Sequence, residues 1–404
     1  MGVFRAVRLT DRVYWVGAID WALRDFHGYS TSRGTTYNAY LVMGDRVTLV
    51  DTVKEPFMDE MMQRISSVTD PADIDIVVSN HSEMDHTGAL PRTISAVEPS
   101  RVYASAMGSK ALAAHFHWKD DPVEAVGTGD TIDLGGLSLQ FIETRMIHWP
   151  DSMVAYLPEE RILFSQDGFG MHLASTERFD DRIPRHLLEI EARKYYANIL
   201  MPFSPLVGSL LANLEKMDLD IDLLCPDHGP VWREGIDWIM GRWATWSERK
   251  PVPAAVVIYD TMWGSTKAMA EAVVEGLAGE GISTRLFPLR DTHISDIASE
   301  VLEASALVVG SPTINGRIFP SVAECMNYLG GLKPSGLVGA AFGSYGWSGE
   351  AVKELNGLLE GMKVRLAGEG LKAQYVPDGS ALLRAADLGR SVGRELKGML
   401  EGED

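Results

Sequence analysis

Residues 81–86 place two histidines and two carboxylates within six positions. The segment reads His81-Ser82-Glu83-Met84-Asp85-His86, and it closely follows the apolar run Ile74-Asp75-Ile76-Val77-Val78. That run predicts a short buried strand, so the four polar side chains are expected in the loop that leaves its end. Neutral imidazole nitrogens and carboxylate oxygens are metal ligands. The spacing therefore predicts a metal site in this loop.

Three later residues of ligand type also follow apolar runs. His148 follows residues 139–147, Asp167 follows residues 161–166, and His228 follows residues 221–227. Any one of them could be an ordinary polar residue at a strand end. If the strands belong to one pair of packed sheets, however, their ends can converge on one rim. Together with residues 81–86, they favour a single site that is assembled from distant parts of the chain.

The second half of the chain contains a different kind of loop. Ala254–Tyr259 predicts a buried parallel strand, and a helix is predicted from Lys267 to about Leu277. Hydroxyl groups, a glycine and the amides of a helix N-terminus form an uncharged cradle for a phosphate. The spacing matches neither the Walker loop nor Gly-x-Gly-x-x-Gly. The residues between strand and helix are Thr261, Met262, Trp263, Gly264, Ser265 and Thr266.

Two further strand-and-loop units follow in this half. In a doubly wound parallel sheet such loops meet beyond the carboxyl ends of the strands, where ligands bind. Trp347 lies between glycines and is predicted to stack on a ligand ring, although a surface or interface position is the alternative; Trp263 is a second candidate wall. The loop after residues 306–310 supplies Pro312, Thr313, Ile314, Asn315 and Gly316, and the loop after residues 337–342 supplies Ser344, Tyr345, Gly346, Trp347, Ser348 and Gly349.

The elements that must position these residues form two domains. Runs rich in β-forming residues at 13–16, 37–43 and 47–50 precede a mixed order of helices and strands. Trp246–Pro253 contains two prolines and a charge run, which predicts a short stiff connection. We therefore expect one domain over residues 1–250 and a second over residues 254–404.

Composition narrows the possible partners and locations. The chain has 404 residues, 46% of them hydrophobic, and a net charge of −19, which disfavours nucleic acid and anionic membrane as partners. No signal-like N-terminal segment is present, and no uncharged run is expected to reach the roughly 18 apolar residues of a membrane span. The only cysteines, Cys225 and Cys325, lie in different predicted domains. Free thiols fit a cytoplasmic protein, and two cysteines exclude a tetra-cysteine iron site within the chain.

The pattern His81-x-Glu83-x-Asp85-His86 resembles that of the metallo-β-lactamase superfamily, in which a histidine usually stands where Glu83 stands here. An added oxygen donor favours iron over zinc. The three loops of the second half resemble flavodoxin loops. Together with His148, Asp167 and His228, they make the whole chain resemble the flavodiiron protein family. The resemblance implies an α/β fold, namely a metallo-β-lactamase-like αββα sandwich followed by a flavodoxin-like doubly wound parallel sheet.

The resemblance also implies a chemistry and the residues that serve it. His81, Glu83 and His148 would hold one iron of a non-haem diiron site, Asp85, His86 and His228 the other, with Asp167 bridging. In some family members the histidine that matches His86 turns away and water replaces it. The three loops would bind FMN. The resemblance also implies that the groups that deliver protons beside the iron are His27, Tyr196 and His172.

The family reduces dioxygen to water or nitric oxide to nitrous oxide. The resemblance implies an external electron donor, commonly rubredoxin and in some archaeal relatives a reduced deazaflavin, since no donor domain is attached. It also implies a head-to-tail homodimer, or an oligomer built from dimers, in which the flavin of one subunit faces the diiron site of the other. Trp149 and Trp347 are expected near that junction.

Three other functions remain possible from the sequence. A hydrolase of the metallo-β-lactamase superfamily, fused to a flavodoxin-like domain, would use the metals to activate water. An electron carrier would keep the flavin without a reactive metal centre. A flavin-dependent sensor or interaction protein would need neither metal-dependent hydrolysis nor electron transfer to a substrate. Seven residues of ligand type at matching spacing favour the oxidoreductase.

Overall fold

The computed structural model describes residues 2–119 and 122–402, so the predicted outer domain limits at residues 1 and 404 lie outside the described residues. The chain divides into two compact units. The first comprises Met1–His27, Thr31–Tyr195 and Pro205–Ala244, and the second comprises Gly28–Ser30, Tyr196–Ser204 and Thr245–Asp404. Two short segments from the first half of the chain thus belong to the second unit.

Hydrogen bonds within the second unit explain why Tyr196–Ser204 belongs to it. The Asn198 side-chain amide donates to the carbonyl oxygen of Ser295 over 3.0 Å, and the Tyr328 hydroxyl donates to Asn198 Oδ1 over 2.6 Å. Trp246 Nε1 likewise donates to Glu303 over 2.9 Å, so the second unit begins before the prolines of the predicted connection.

The first unit is built on two β-sheets. In the seven-stranded sheet the strands on the N-terminal side pair antiparallel, whereas the last three pairings are parallel. Its strands, in spatial order, are Val7–Arg8, Val13–Trp15, Tyr40–Met43, Val47–Val50, Ile74–Ser79, Arg101–Ser105 and Val123–Val126. The five-stranded sheet contains Thr131–Asp133, Ser138–Glu143, Met153–Leu157, Ile162–Gln166 and Leu223–Pro226, of which only the last pair is parallel.

Apolar side chains cover both faces of the seven-stranded sheet. One core contains residues of both sheets, such as Trp15, Tyr40, Phe141 and Phe164. A second core lies on the opposite face, where Met61 and other helix residues pack. The described helices of this half are Met58–Ile65, Met84–Thr87, Leu90–Val97, Ala106–Phe116, Arg185–Tyr195, Ser204–Met217 and Ile236–Glu248, with short 3₁₀ turns at Glu55–Phe57, Pro71–Asp73, Asp180–Arg182 and Met201–Phe203 and a π-helical turn at Tyr196–Leu200. Four short strands, Ala18–Asp20, Asp25–Phe26, Tyr29–Ser30 and Thr35–Tyr37, complete it.

Two predicted strands are shorter than expected. The run 37–43 is broken at Asn38, because the Asn38 side-chain amide donates to the carbonyl oxygens of Pro226 and Gly229 over 2.6 and 3.0 Å, and its Oδ1 accepts from Trp15 Nε1 over 2.8 Å. The run 139–147 is a strand only to Glu143. His148 therefore lies in the loop beyond that strand rather than directly at its end.

The second unit contains a parallel sheet, and a hydrophobic core packs against it. Its order places the first strand between the second and third, as in the flavodoxin-like doubly wound arrangement. The strands in spatial order are Ser283–Pro288, Ala254–Tyr259, Ala306–Gly310 and Val338–Tyr345, and the last of these pairs with both Arg365–Leu366 and Leu371–Gln374. The helices are Ser265–Gly279, Ile294–Leu302, Pro320–Leu332, Ala351–Gly361 and Gly379–Glu401, with a small hairpin of Thr313–Ile314 and Arg317–Ile318.

One helical stretch, Arg185–Met217, corrects an expectation about membrane spans. By length and composition alone it could cross a membrane, because an 18-residue window within it is sufficiently apolar and carries few charges. A single stretch of this kind is weak evidence, since core helices of soluble proteins pass the same test. The sequence expectation failed because it required an uninterrupted apolar run, whereas this window mixes apolar with uncharged polar residues.

Candidate metal centre and flavin pocket

The structure brings all seven predicted metal-binding residues together in the first unit. They form two adjoining groups in which the candidate ligand atoms lie within 4.8 Å of one another. The first group contains His81, Glu83, His148 and Asp167, and the second contains Asp85, His86 and His228. The division matches the two ligand sets that the family resemblance implies. All except the partly buried His148 are buried.

In the first group, two imidazole nitrogens face two carboxylate oxygens. His148 Nε2 lies 3.2 Å from Glu83 Oε2 and 2.9 Å from Asp167 Oδ2. His81 Nε2 lies 3.3 Å from the same oxygen of Glu83 and 3.4 Å from the same oxygen of Asp167. Four donors from three different loops therefore surround one point.

The second group repeats this arrangement around the other oxygen of Asp167. His86 Nε2 lies 3.4 Å from Asp85 Oδ1 and 3.2 Å from Asp167 Oδ1. His228 Nε2 lies 3.2 Å from Asp85 Oδ2 and 3.5 Å from Asp167 Oδ1. His86 faces the group rather than turning away from it, and Asp167 offers one oxygen to each group, as a bridging ligand must.

These separations fit two metal ions. Ligands bound at about 2.1 Å around one ion lie about 3.0–3.4 Å apart, depending on the coordination geometry. Both carboxylate oxygens of Asp85, Asp167 Oδ1 and His86 Nε2 are buried without a hydrogen-bond partner. Buried polar atoms are normally paired, so a cation is the partner that this set of oxygen and nitrogen donors suits.

A carbonyl oxygen accepts a hydrogen bond from one histidine of the cluster, and carboxylates lie slightly beyond hydrogen-bond distance of two others. His81 Nδ1 lies 3.6 Å from Asp151 Oδ2, and His86 Nδ1 lies 3.6 Å from Asp227 Oδ2. His228 Nδ1 lies 2.6 Å from the carbonyl oxygen of Thr36. Such partners leave Nε2 free to bind a metal. The sequence interpretation missed both aspartates, although each lies within three positions of a predicted ligand.

Charges in this cluster stabilise one another. Burial disfavours the charged imidazolium of His81, but its hydrogen bonds to Asp151 and Glu83 outweigh burial and raise its pKa to about 10. Burial likewise disfavours the charged carboxylate of Glu83, yet His148 and His81 hold its pKa below the usual range. A metal ion must displace these imidazole protons, so its binding releases protons.

Two of the three residues predicted for proton delivery do lie at the cluster. His27 Nε2 is 3.1 Å from Glu83 Oε1, and its side chain is 74% exposed. His172 is buried, its Nδ1 lies 2.9 Å from Thr35 Oγ1, and its ring lies 4.7 Å from that of His228. Burial and the neighbouring His228 lower the pKa of His172, which therefore stays neutral.

The prediction for Tyr196 needs correction. Its hydroxyl donates to Ser204 Oγ over 3.1 Å, and its ring packs against Trp246 at 5.3 Å. The preceding residue, Tyr195, is the phenol at the cluster: burial together with the charges of Asp167 and Asp85 raises its pKa, and its ring lies 6.2 Å from that of His228. Consecutive helical residues point about 100° apart, so only one of the two tyrosines can face the cluster.

The second unit contains a cavity of about 530 Å³ at the carboxyl ends of its strands. This volume is in the usual range for a cofactor site. Thirteen of the seventeen residues predicted to bind FMN line it, namely Met262, Trp263, Ser265, Pro312, Thr313, Ile314, Asn315, Gly316, Ser344, Tyr345, Gly346, Trp347 and Ser348. Tyr375 and Val376, which follow the strand Leu371–Gln374, also line it and were missed.

The four other predicted residues support the loops rather than line the cavity. Thr261 Oγ1 accepts from the Gly264 amide over 3.0 Å, and Gly264 has a φ of +90°, which favours glycine. Thr266 is buried, with its hydroxyl 2.9 Å from that of Ser344. A Cβ on Gly349 would lie 3.1 Å from the Tyr345 ring, so Gly349 permits close packing.

Exposed aromatic side chains surround this cavity. Trp263 and Trp347 are 94% and 90% exposed, and Tyr375 is 64% exposed. The lining combines hydroxyl groups and the N-terminus of the helix Ser265–Gly279 with aromatic rings. A phosphate and a flat ring are the ligand groups that this combination suits.

Family models divide the chain in the same way. The model described as ODP family beta lactamase matches residues 35–229, and the model described as Flavodoxin matches residues 257–388. The fold and the site thus define a two-domain protein, a metallo-β-lactamase-like domain with a candidate two-metal centre followed by a flavodoxin domain. The predicted fold class is confirmed.

Curated relatives and solved structures extend this match over nearly the whole chain. A nitric oxide reductase of Moorella thermoacetica is 45% identical over 96% of this chain and 98% of its own length. A rubredoxin-oxygen oxidoreductase of Megalodesulfovibrio gigas is 42% identical over 98% of this chain and 99% of its own length.

Among solved structures, the rubredoxin oxygen:oxidoreductase of Desulfovibrio gigas matches with a TM-score of 0.96 at 42% identity, covering 98% of this chain and 100% of its own. The flavodiiron protein of Giardia intestinalis matches with a TM-score of 0.95 at 30% identity, covering 100% of this chain and 99% of its own. The chain belongs to the flavodiiron protein family.

Proposed function

We propose that this chain is an oxidoreductase that reduces dioxygen to water, nitric oxide to nitrous oxide, or both, with two non-haem irons and FMN as cofactors. Relatives that share at least 42% of its residues are named for each of these activities. The observation that carries the proposal is the double ligand set joined by Asp167, in a chain that also contains a flavodoxin domain. A metal-dependent hydrolase would not need the flavodoxin domain.

The proposed iron ligands follow from the two groups. His81, Glu83 and His148 would hold one iron, Asp85, His86 and His228 would hold the other, and Asp167 would serve both. Two bound irons would supply redox chemistry for a diatomic gas, and bound FMN would supply electron storage. Asp151 and Asp227 keep His81 and His86 oriented, since each carboxylate faces the Nδ1 atom of its histidine.

Protons must accompany the electrons in both reactions, and two groups suit this task. Tyr195 is buried, and burial together with Asp167 and Asp85 keeps its pKa far above the usual range. It therefore stays protonated beside the carboxylate that would bridge the irons, where it can serve as a proton donor. His27 lies at a cleft that Lys54, Met84 and Asp85 also line, so it can exchange protons with solvent. His172 remains a neutral hydrogen-bonding partner beside His228.

The flavin site follows from the loops of the second unit. The loop Thr261 to Thr266 would hold the phosphate of FMN and the loops 312–316 and 344–349 would hold its ring, with Thr261, Gly264, Thr266 and Gly349 supporting these loops and Trp347 as the stacking residue. Tyr375 adds to this wall. We assign the diiron function to residues 1–250 and the FMN function to residues 254–404.

The remaining assignments concern the surroundings of the enzyme. We propose a cytoplasmic protein that receives electrons from an external donor such as rubredoxin and binds neither nucleic acid nor membrane. We also propose a head-to-tail homodimer, or an oligomer built from such dimers, with Trp149 and Trp347 near the junction. The exposed indole of Trp347 supports this, because large exposed apolar groups commonly mark interaction sites.

Anaerobic stopped-flow measurements test the function. Protein with measured iron and flavin content is reduced and mixed separately with dioxygen and with nitric oxide. Rapid reoxidation of the flavin by either gas is expected. If neither gas reoxidises the flavin in iron-loaded protein, the proposed function is wrong, and zinc in the site would instead favour hydrolysis. Sedimentation that shows a fully active monomer would refute the dimer.

A further inference from the structure

A buried carboxylate lies directly beside the predicted phosphate loop. Asp260 follows the strand Ala254–Tyr259, is only 3% exposed, and accepts hydrogen bonds from the Thr261 amide over 2.6 Å and the Ser321 hydroxyl over 2.5 Å. Thr261 is the first residue of the loop. A phosphate beside a buried, uncompensated carboxylate would meet a like charge in a poorly solvated place, which disfavours binding.

Arg290 compensates this charge and also contacts the loop itself. Its Nε donates to Asp260 Oδ1 over 2.9 Å, and its Nη2 donates to the carbonyl oxygen of Thr261 over 2.6 Å. The guanidinium thus fixes both the carboxylate and the first peptide of the loop. The Arg290 side chain is 57% exposed, so solvent screens part of its charge. The fixed geometry of its two hydrogen bonds therefore contributes to its effect on the loop as well as its charge does.

The other loop contacts are neutral. Thr261 Oγ1 accepts from the Gly264 amide over 3.0 Å, and the Thr266 hydroxyl pairs with that of Ser344 over 2.9 Å. Among the residues that line the cavity there is no lysine or arginine within the described part of the chain. Arg290 is therefore the cation that the hydrogen bonds connect to the phosphate loop.

We propose that Arg290, acting through Asp260 and Thr261, is a positioning residue that gives the flavin site its selectivity for a phosphorylated flavin. This inference rests on the FMN site of the proposed function. Apart from Trp263, the aromatic residues expected to contact the flavin ring, Trp347 and Tyr375, belong to other loops, and the hydrogen bonds of Arg290 go to Asp260 and Thr261. Loss of Arg290 should therefore weaken binding of FMN and leave binding of riboflavin, which lacks the phosphate, nearly unchanged.

The test compares the dissociation constants of FMN and riboflavin on the full-length chain after removal of its flavin. Quenching of flavin fluorescence measures both. Arg290→Ala is expected to weaken FMN binding roughly 10- to 100-fold, the range for loss of a hydrogen-bonded charge, and to change riboflavin binding by less than about threefold. Arg290→Lys keeps the charge but not both contacts, so an intermediate value is expected.

Two further variants separate charge from general damage. In the Arg290→Ala background, Asp260→Asn removes the uncompensated charge and should restore part of the FMN affinity. Arg365→Ala is the matched control, because Arg365 is 52% exposed and lies 3.5 Å from Glu395 in another salt bridge. It should change neither constant. Arg290→Gln replaces the alanine variant if that one does not fold.

The outcomes distinguish this inference from the proposed function. If the unaltered chain does not bind FMN, the proposed function fails. If it does, but the Arg290 variants weaken both flavins equally or leave FMN binding unchanged, the positioning role of Arg290 is overturned.

Discussion

Replacing Tyr195 by phenylalanine isolates one hydroxyl group at the candidate metal centre. The Tyr195 side chain is 1% exposed, and the charge of Asp167, the carboxylate shared by both ligand groups, acts on its phenol. The ring contacts with His228 and His172 survive the change, because only one oxygen is lost. We expect the variant to fold and to bind its metals.

The size of the effect follows from the hydrogen bond to a charged group that the Tyr195 hydroxyl is expected to donate in the transition state. A hydrogen bond to a charged group contributes about 1.5–3 kcal/mol, and a fully buried one is little screened by solvent. If this stabilisation acts in the transition state, its loss lowers turnover by a factor of about 10–150. The pKa of the phenol is raised above its usual range by burial and by Asp167, so the loss should be nearly constant between about pH 6 and pH 9.

The assay is steady-state reduction of dioxygen and of nitric oxide by protein with matched iron and flavin content. Tyr196→Phe is the control, because the Tyr196 hydroxyl bonds to Ser204 rather than to the cluster. This control should lose about 0.5–1.5 kcal/mol of stability at most and keep its turnover. Slow turnover in Tyr196→Phe with normal turnover in Tyr195→Phe would refute the assignment of the phenol.

Three other predictions concern the metal centre, the flavin pocket and the thiols. Asp151→Asn should retain iron 10- to 100-fold more weakly, because it loosens His81, and iron content after dialysis against a chelator measures this. Trp347→Ala should weaken FMN binding by about 2- to 12-fold with no change in iron content, since aromatic stacking contributes about 0.5–1.5 kcal/mol; equal affinity would refute stacking. Cys225 and Cys325 should resist alkylation at pH 8 until the protein unfolds, because burial raises the pKa of Cys325 to about 12 and that of Cys225 well above its usual value. Rapid labelling of the native protein would contradict this.

Much of the candidate site could be predicted because it depends on residue types and spacings within short segments of the chain. Residues 81–86 closely follow one strand, so their types and spacing indicated a metal site, and the family resemblance implied its division into two ligand sets. Asp85 and His86 lie in the short helix Met84–Thr87 rather than in the predicted loop. The flavin loops were also predictable, since each follows a buried strand of a parallel sheet. Tyr375 and Val376 were missed because the strand before them, Leu371–Gln374, is only partly buried and lacks a long apolar run.

The errors arose where a residue's role depends on the direction in which its side chain points or on a contact with a residue distant in sequence. Tyr195 and Tyr196 are the same residue type at adjacent positions, and only the phase of the helix determines which one faces Asp167. Asp151, Asp227 and Arg290 act through partners that are distant in sequence or buried behind a ligand, so spacing carries no signal for them.

The sequence by itself determined the chemical types of the donors, the strands that precede them and the phosphate loop, because these depend on residue type and short-range periodicity. Only the tertiary structure decided that His86 faces Asp167, that each oxygen of Asp167 serves a different ligand group, and that Arg290 neutralises Asp260. The first two facts depend on distances between loops that come together only when the two sheets of the first unit pack. The third depends on two loops that meet at the edge of the parallel sheet, and no local sequence pattern specifies such distances.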